Sequence, residues 1–233
     1  MMFPPMTSLV PGVLAALAGL GAGPVLARFI VRTCDAMKME YLDWDQGVLA
    51  FPGVRVWGQS VVTAGCSMTA FLAGWRFGWD WMAVWAILFS WGLLVLVFID
   101  LETLFLPDRL TLPLLWAGLL VNSIHGFIDL RSAVWGAAAG YLVLWGIYWL
   151  FRLVARREGM GFGDFKLLAA LGGWMGWQSL PLMLLGASVA GLLVGGFWVR
   201  RGRGTARTPF PFGPFLALAG YGVMLCRQGG WGL

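Results

Sequence analysis

Residues 81–102 have the sequence WMAVWAILFSWGLLVLVFIDLE, an apolar run that ends on two acidic side chains. No charged residue interrupts the run from Trp81 to Ile99. A helix needs about 20 predominantly apolar residues to cross the hydrocarbon core of a bilayer, so this stretch predicts a membrane-spanning helix. Asp100 and Glu102 then fall at the end of the span, where burying a charge is costly and favours a functional role.

The composition extends this interpretation to the whole chain. Of its 233 residues, 60% are hydrophobic and 12% are charged, whereas about half are apolar and about a quarter charged in a soluble domain. So large an apolar share also excludes a disordered chain, because that surface has to be buried. We therefore predict an all-α fold, a polytopic helical membrane protein with a single transmembrane domain over residues 1–233.

Similar apolar runs lie on both sides of the first stretch. Several are shorter than a full span and must extend into the residues that flank them. Together they predict about eight helices, and a count of seven stays open. The runs are Leu9–Leu26, Val61–Trp75, Trp81–Ile99, Leu110–Val121, Ala133–Phe151, Phe165–Trp177, Leu180–Val199 and Pro214–Leu225.

The basic residues predict how these spans are oriented. With eight helices, all but Arg76, Arg131 and Arg227 of the 16 basic residues fall on one side. Because Lys and Arg are retained in the cytosol during insertion, that side is predicted to be cytosolic and both termini to be non-cytosolic. A short polar loop at about 33–59 falls on the same side. The net charge of +5 comes from basic residues that lie in short patches between the apolar runs. A nucleic-acid-binding protein would instead cluster its basic residues in one groove, so the charge does not indicate nucleic-acid binding.

Two acidic motifs adjoin the apolar runs. The first contains Asp100 and the second, GMGFGDFK at residues 159–166, contains Asp164. Two predicted helices separate these aspartates, so both carboxylates are expected on the same membrane face. Carboxylates that meet share one proton, because two adjacent negative charges repel each other. The neutral carboxyl can polarise a peptide carbonyl while the ionised one takes a proton from water, which is the chemistry of aspartic proteolysis.

Five neighbouring residues are predicted to support this chemistry or to bind the substrate. A backbone without side chains at Gly161 and Gly163 can adopt unusual dihedral angles and let an extended peptide approach. Lys166 has two open interpretations, a pair with a carboxylate or a contact with lipid phosphate. Glu102 and Asp108 are equally open to a simpler interpretation, in which their charges extend to water.

Other catalytic chemistries lack the residues that they need. The only histidine, His125, is predicted on the opposite face from the acids, which excludes a Ser-His triad and a His-rich zinc site. The GMGFGD segment lacks the Lys-Ser/Thr of a phosphate-binding loop. Two rival functions stay open: a transporter that uses Asp100, Asp164 and Lys166 as an ion relay, and a non-catalytic assembly factor.

The two acidic motifs resemble those of bacterial type IV prepilin peptidases. Gly159–Trp174 is similar to the GxGD segment of that family, and Phe98–Pro113 is similar to its other acidic motif. The similarity covers about residues 76–226. It implies a multi-pass aspartic endopeptidase of the bacterial inner membrane, of the GxGD type, with Asp100 and Asp164 as its catalytic residues.

The resemblance also implies substrates and partners. Members of the family remove the short basic leader of type IV prepilins and of type II secretion pseudopilins at the cytosolic face, after a Gly that precedes the apolar helix. An acidic rim formed by Glu102, Asp108 and residues 35–45 would attract such a leader. Membrane lipid is the other expected partner, and nucleic acid is not expected.

The chain departs from the family pattern in two places. Many members carry a cytosolic insertion with two CxxC pairs that binds zinc, whereas the corresponding loop here has only Cys34. We therefore predict no zinc and no cofactor for the peptidase activity. Many members also methylate the new N-terminus with S-adenosylmethionine. Because residues 23–27 read GPVLA where the family usually has GSFLN, the polar Ser and Asn are missing, and N-methylation stays open as a second activity.

Overall fold

The computed structural model describes residues 9–40, 54–155, 161–201 and 210–226. These ranges hold eight α-helices and no β-strand, which confirms the all-α prediction for them. Each predicted apolar run lies largely within one helix. The helices are α1 (Leu9–Glu40), α2 (Val54–Phe77), α3 (Trp81–Thr103), α4 (Asp108–His125), α5 (Leu130–Ala155), α6 (Phe162–Met175), α7 (Leu180–Arg200) and α8 (Gly213–Cys226), with a 3-10 turn at Trp177–Ser179.

Four segments of the described chain are long and apolar enough to cross a membrane: Leu9–Met37, Trp81–Thr103, Leu130–Val154 and Trp177–Arg200. The first three lie in α1, α3 and α5, and the fourth comprises the 3-10 turn and α7. The protein is thus a polytopic helical membrane protein. The count of eight spans and the non-cytosolic placement of both termini stay predictions.

Helix α7 exposes most of its apolar side chains. Only 11% of its membrane-length window is buried. Leu182, Leu185 and Leu192 are 63%, 65% and 77% exposed. A helix that is apolar all round suits a lipid environment, so this surface is expected to face acyl chains.

Helix α1 is longer than the sequence predicted, and the loop placed at about 33–59 is correspondingly shorter. Ala27, Ile30 and Cys34 are buried, and their spacing of three and four residues keeps one helix face packed after the continuous apolar run has ended. The helix therefore continues to Glu40, and α2 begins at Val54. Of the acidic residues assigned to the loop, Asp35 and Glu40 lie in α1, and Asp43 and Asp45 lie outside the described residues.

The helices group into two compact units, α1–α3 and α4–α8. In the first unit α1 packs closely on α2, because a Cβ on Gly19 would lie only 2.6 Å from Ser67 Cα. Trp91 Nε1 donates a hydrogen bond of 3.1 Å to Cys66 O and so joins α3 to α2. The single transmembrane domain over residues 1–233 stays a prediction.

Helix α6 is the buried helix of the second unit. It packs against α4, α5 and α8, and every residue from Leu167 to Met175 is buried. Small residues let α5 and α6 meet at backbone distance: a Cβ on Gly140 would lie 2.6 Å from Leu168 O, and one on Gly172 would overlap the Gly136 carbonyl. Such close contacts are the usual means of association between helices in a bilayer.

Asn122 connects α4 to the C-terminal end of α6. Its side chain is 6% exposed, and its Nδ2 donates to Gly173 O at 2.8 Å and to Trp174 O at 3.2 Å. Its Oδ1 accepts the N–H of Ile128 at 3.1 Å. One buried side chain therefore satisfies three main-chain groups that would be costly to leave without a hydrogen bond.

Replacing Asn122 with Ala should destabilise the protein by about 2–4 kcal/mol, because buried main-chain groups would lose their partner. Thermal unfolding of the purified protein in detergent measures this as a lower Tm. The matched control is Ser123→Ala, which removes an exposed hydroxyl that bonds only to Leu120 O of its own helix. Equal melting temperatures for Asn122→Ala and the wild type would contradict the role of this side chain.

Candidate active site

Asp100 lies in the last turn of α3 and is 4% exposed. Its main-chain carbonyl accepts the N–H of Leu104 at 2.8 Å. Leu104 has a φ of 54°, the left-handed conformation with which many helices end. The predicted position of Asp100 at the end of the third helix is confirmed, and Glu102 lies half-buried in the same turn.

Asp164 lies in the first turn of α6 and is 8% exposed. Its N–H bonds to Gly161 O at 3.3 Å. The N-terminal end of a helix favours negative charge, because the main-chain N–H groups of the first turn point out of that end. As predicted, Asp164 begins the sixth helix, and two helices lie between it and α3.

An aromatic cluster packs beside the turn that carries Asp164. The Tyr148 ring of α5 lies 5.2 Å from that of Phe162 and 5.8 Å from that of Phe165. Tyr148 and Phe165 are buried, and Phe162 is 52% exposed. The rings hold the start of α6 on α5. Sequence reasoning missed this cluster, although the spacing of three between Phe162 and Phe165 indicates one helix face.

The two predicted glycines differ in their surroundings. Gly161 precedes α6 with a φ of −78° and a ψ of 146°, angles that any residue adopts, and among the described residues a Cβ there would meet no atom within 4 Å. Gly163 lies in the first turn of α6, and a Cβ there would lie 2.7 Å from the Cβ of Leu106. Gly163 therefore serves close packing, while none of the described residues crowds Gly161 at the start of the helix.

Lys166 forms an ion pair with Asp108. Its Nζ lies 2.5 Å from Asp108 Oδ1 and 2.6 Å from Oδ2. The side chains are 27% and 53% exposed, respectively. The sequence left two interpretations of Lys166 open, and the structure shows the pair with a carboxylate. The Asp108 charge is compensated, so the leader-attracting role predicted for Asp108 would require this pair to open.

The predicted site residues divide between the two units. Asp100 and Glu102 belong to the first unit, and the second contains Gly161, Asp164 and the Asp108–Lys166 pair. The structure brings Asp108 and Lys166 together, although 58 residues separate them in the chain. The meeting of Asp100 with Asp164 stays a prediction.

The histidine and the cysteines, which could bind a metal, lie on four different helices. His125 is the last residue of α4, at the opposite end of that helix from Asp108 and about 25 Å away by helix rise. Cys34 and Cys66 are buried and Cys226 is exposed. Within the described ranges no three His, Cys, Asp or Glu side chains group as metal ligands.

Fold and site together define a class: a polytopic helical membrane protein with one buried aspartate at the end of a spanning helix and another at the start of a glycine-rich buried helix. The sequence model of the type IV leader peptidase family matches residues 87–196. A "Prepilin leader peptidase/N-methyltransferase" of Dickeya chrysanthemi is 46% identical over 232 aligned positions, and the match covers 91% of this chain and 81% of the relative. The chain belongs to the type IV leader peptidase family.

Other relatives of the same name match over a shorter length. The protein of Stutzerimonas stutzeri is 49% identical over 165 residues, 71% of this chain and 57% of the relative. That of Aeromonas hydrophila is 54% identical over 149 residues, 64% of this chain and 50% of the relative. The chain thus spans about half the length of these curated relatives. No solved structure matches it.

Gly163→Ala should lower the melting temperature, whereas Gly161→Ala should leave it unchanged. Overpacking against Leu106 costs about 1–3 kcal/mol, which exceeds the gain of about 1 kcal/mol that Ala has over Gly in a helix. Thermal unfolding of both variants in the same detergent compares a crowded glycine with an open one two residues away. A Gly163→Ala protein as stable as the wild type would show that Leu106 moves aside freely.

Proposed function

We propose that this protein is a membrane aspartic endopeptidase that removes the leader from type IV prepilins or type II secretion pseudopilins at the cytosolic face of the bacterial inner membrane. The observation that carries the proposal is the presence of both acidic motifs, with Asp100 and Asp164 buried at helix ends, in a member of the type IV leader peptidase family. These two residues are the proposed catalytic carboxylates.

In the proposed mechanism the two carboxyl groups share one proton. The protonated carboxyl donates a hydrogen bond to the carbonyl oxygen of the scissile peptide, which makes its carbon more electrophilic. The ionised carboxylate takes a proton from a water molecule, and the water oxygen attacks that carbon. The proton then passes to the leaving amine, so the pair returns to its starting state. Burial supports this division of labour, because electrostatic interactions are stronger away from water.

The open space at the start of α6 supports the proposed approach of an extended leader. Peptide bonds inside a helix already use their carbonyls as hydrogen-bond acceptors, so the substrate segment must unwind before hydrolysis. Gly161 is exposed, and no neighbour in the described part of the chain lies where its Cβ would be. The half-exposed Phe162 ring follows it and gives an apolar surface for a substrate side chain. We propose that the unwound segment lies along this edge.

Cleavage of a purified prepilin tests the proposal. Wild-type protein should release the leader, and Asp100→Asn and Asp164→Asn should each lower kcat by about a hundredfold or more, because general acid–base groups contribute about 10²–10⁴-fold. Mass spectrometry of the prepilin N-terminus measures the products. Asp80→Asn is the matched control, since Asp80 is exposed and caps α3 through Met82 N, a position where Asn serves equally well.

Two outcomes would contradict the peptidase proposal. Failure of well-folded wild-type protein to cut any of several prepilins would favour the ion-relay or assembly-factor alternatives. Full activity of Asp100→Asn or Asp164→Asn would remove that carboxylate from the proposed mechanism.

N-methylation is a second candidate function, since the relatives that match this chain are named N-methyltransferases as well as peptidases. S-adenosylmethionine would supply the methyl group. Its adenine and sulfonium suit an aromatic cleft with a carboxylate. A cleft of about 560 Å³ with Asp129, Trp135 and Trp177 has such groups. It lies beyond the C-terminal end of α6, about 20 Å by helix rise from Asp164, so it does not fit methyl transfer beside that residue.

The cleavage assay separates the two activities when it is repeated with S-adenosylmethionine. A bifunctional enzyme would give a mature N-terminus that carries the added mass of one methyl group. A peptidase alone would give the unmodified N-terminus in the same yield.

A further inference from the structure

The first turn of α6 has little support from its own helix. Gly161 stands at the N-cap position and supplies no side chain to accept a main-chain N–H. The N–H of Asp164 reaches Gly161 O only at 3.3 Å. Uncapped helix ends leave their first N–H groups without partners and fray readily. The carboxylate of Asp164 is therefore carried on a turn that must be held by contacts from elsewhere.

The segment that leads into α4 supplies two such contacts. Leu106 is 3% exposed and packs directly on Gly163. Asp108, two residues later, pairs with Lys166 through both of its carboxylate oxygens. Gly163 and Lys166 are three residues apart and so lie on one face of the helix. Asp164 lies between the two attachment points in the chain.

We propose that the Asp108–Lys166 ion pair positions the Asp164 carboxylate for catalysis and that Asp108 does not bind the leader. Residues two apart on a helix point in different directions, and the Lys166 ammonium directs its hydrogen bonds at Asp108. The pair thus acts on Asp164 by holding its helical turn. Asp108 and Lys166 are positioning residues, and their effect on activity rests on the proposed peptidase function.

A partly exposed ion pair affects the catalytic rate more than global stability. Such pairs contribute little to folding, because water and salt screen them. A catalytic group displaced by about 1 Å, however, costs about a hundredfold in rate. The expected signature is therefore a lower kcat with a nearly unchanged KM and Tm, whereas loss of a leader-binding carboxylate would raise KM.

The first experiment measures kcat and KM for prepilin cleavage by the full-length protein in detergent. Asp108→Asn and Lys166→Met should each lower kcat about tenfold and change KM by less than about twofold, as expected of a misplaced catalytic group. Lys166→Arg and Asp108→Glu keep the charges and should stay within about threefold of the wild type. Asp80→Asn and Arg131→Met neutralise exposed charges at the starts of α3 and α5 and serve as controls for surface charge.

A second measurement does not depend on cleavage. Amide hydrogen exchange at residues 165–168, whose N–H groups bond to the carbonyls of residues 161–164 in an α-helix, should be about tenfold faster in Asp108→Asn and Lys166→Met than in the wild type, since the first turn of α6 opens more often. Lys166→Arg should restore protection. The two controls should leave exchange at these amides unchanged.

The outcomes distinguish the two proposals. If the wild type cuts no prepilin, the proposed function fails, while hydrogen exchange still decides whether the pair holds the turn. Unchanged exchange in both neutral variants would overturn the positioning role. A raised KM with normal kcat in Asp108→Asn would overturn it as well, because Asp108 would then be a leader-binding residue.

Discussion

The backbone contact between α5 and α6 is the constraint on which the second unit depends. A side chain at Gly136, Gly140 or Gly172 would overlap the main chain of the facing helix. Lipid tails are as apolar as leucine, so no hydrophobic force draws helices together in a bilayer, and close van der Waals packing takes its place. The contact fixes how α6 is inserted among its neighbours. This contact therefore also sets the positions of both ends of α6. Asp164 lies at one end, and the hydrogen bonds from Asn122 lie at the other.

Helix ends give this fold its polar chemistry. Inside a helix the main-chain groups bond to one another, and only the terminal turns have N–H and C=O groups to offer. Asn122 uses such groups at the C-terminal end of α6. Asp164 lies in the first turn of α6, where main-chain N–H groups favour a carboxylate even though little water reaches it. Asp100 lies in the last turn of α3, the carbonyl end, which gives a negative charge no such compensation.

Hydropathy and charge were enough to predict the eight helices of the described ranges and the acids at the ends of α3 and α6. The apolar runs are local properties, and each carries its own signal. The true length of α1 was missed because it depends on the buried spacing of Ala27, Ile30 and Cys34 rather than on a continuous run. The partner of Lys166 and the hydrogen bonds of Asn122 join residues 58 and 51 positions apart. Tertiary packing chooses those partners, and no local pattern indicates the choice.

The outward face of α7 has a consequence for how this chain can diverge. Its leucines at 182, 185 and 192 are more than 60% exposed in the described structure, so selection acts on them mainly through their solubility in acyl chains. Exchanges among Leu, Ile, Val and Phe there should drift almost neutrally between species. Along α6, by contrast, a methyl group added at Gly163 or Gly172 would collide with a neighbouring segment. Amino-acid substitutions should therefore accumulate faster in the lipid-facing helix α7 than in the buried helix α6.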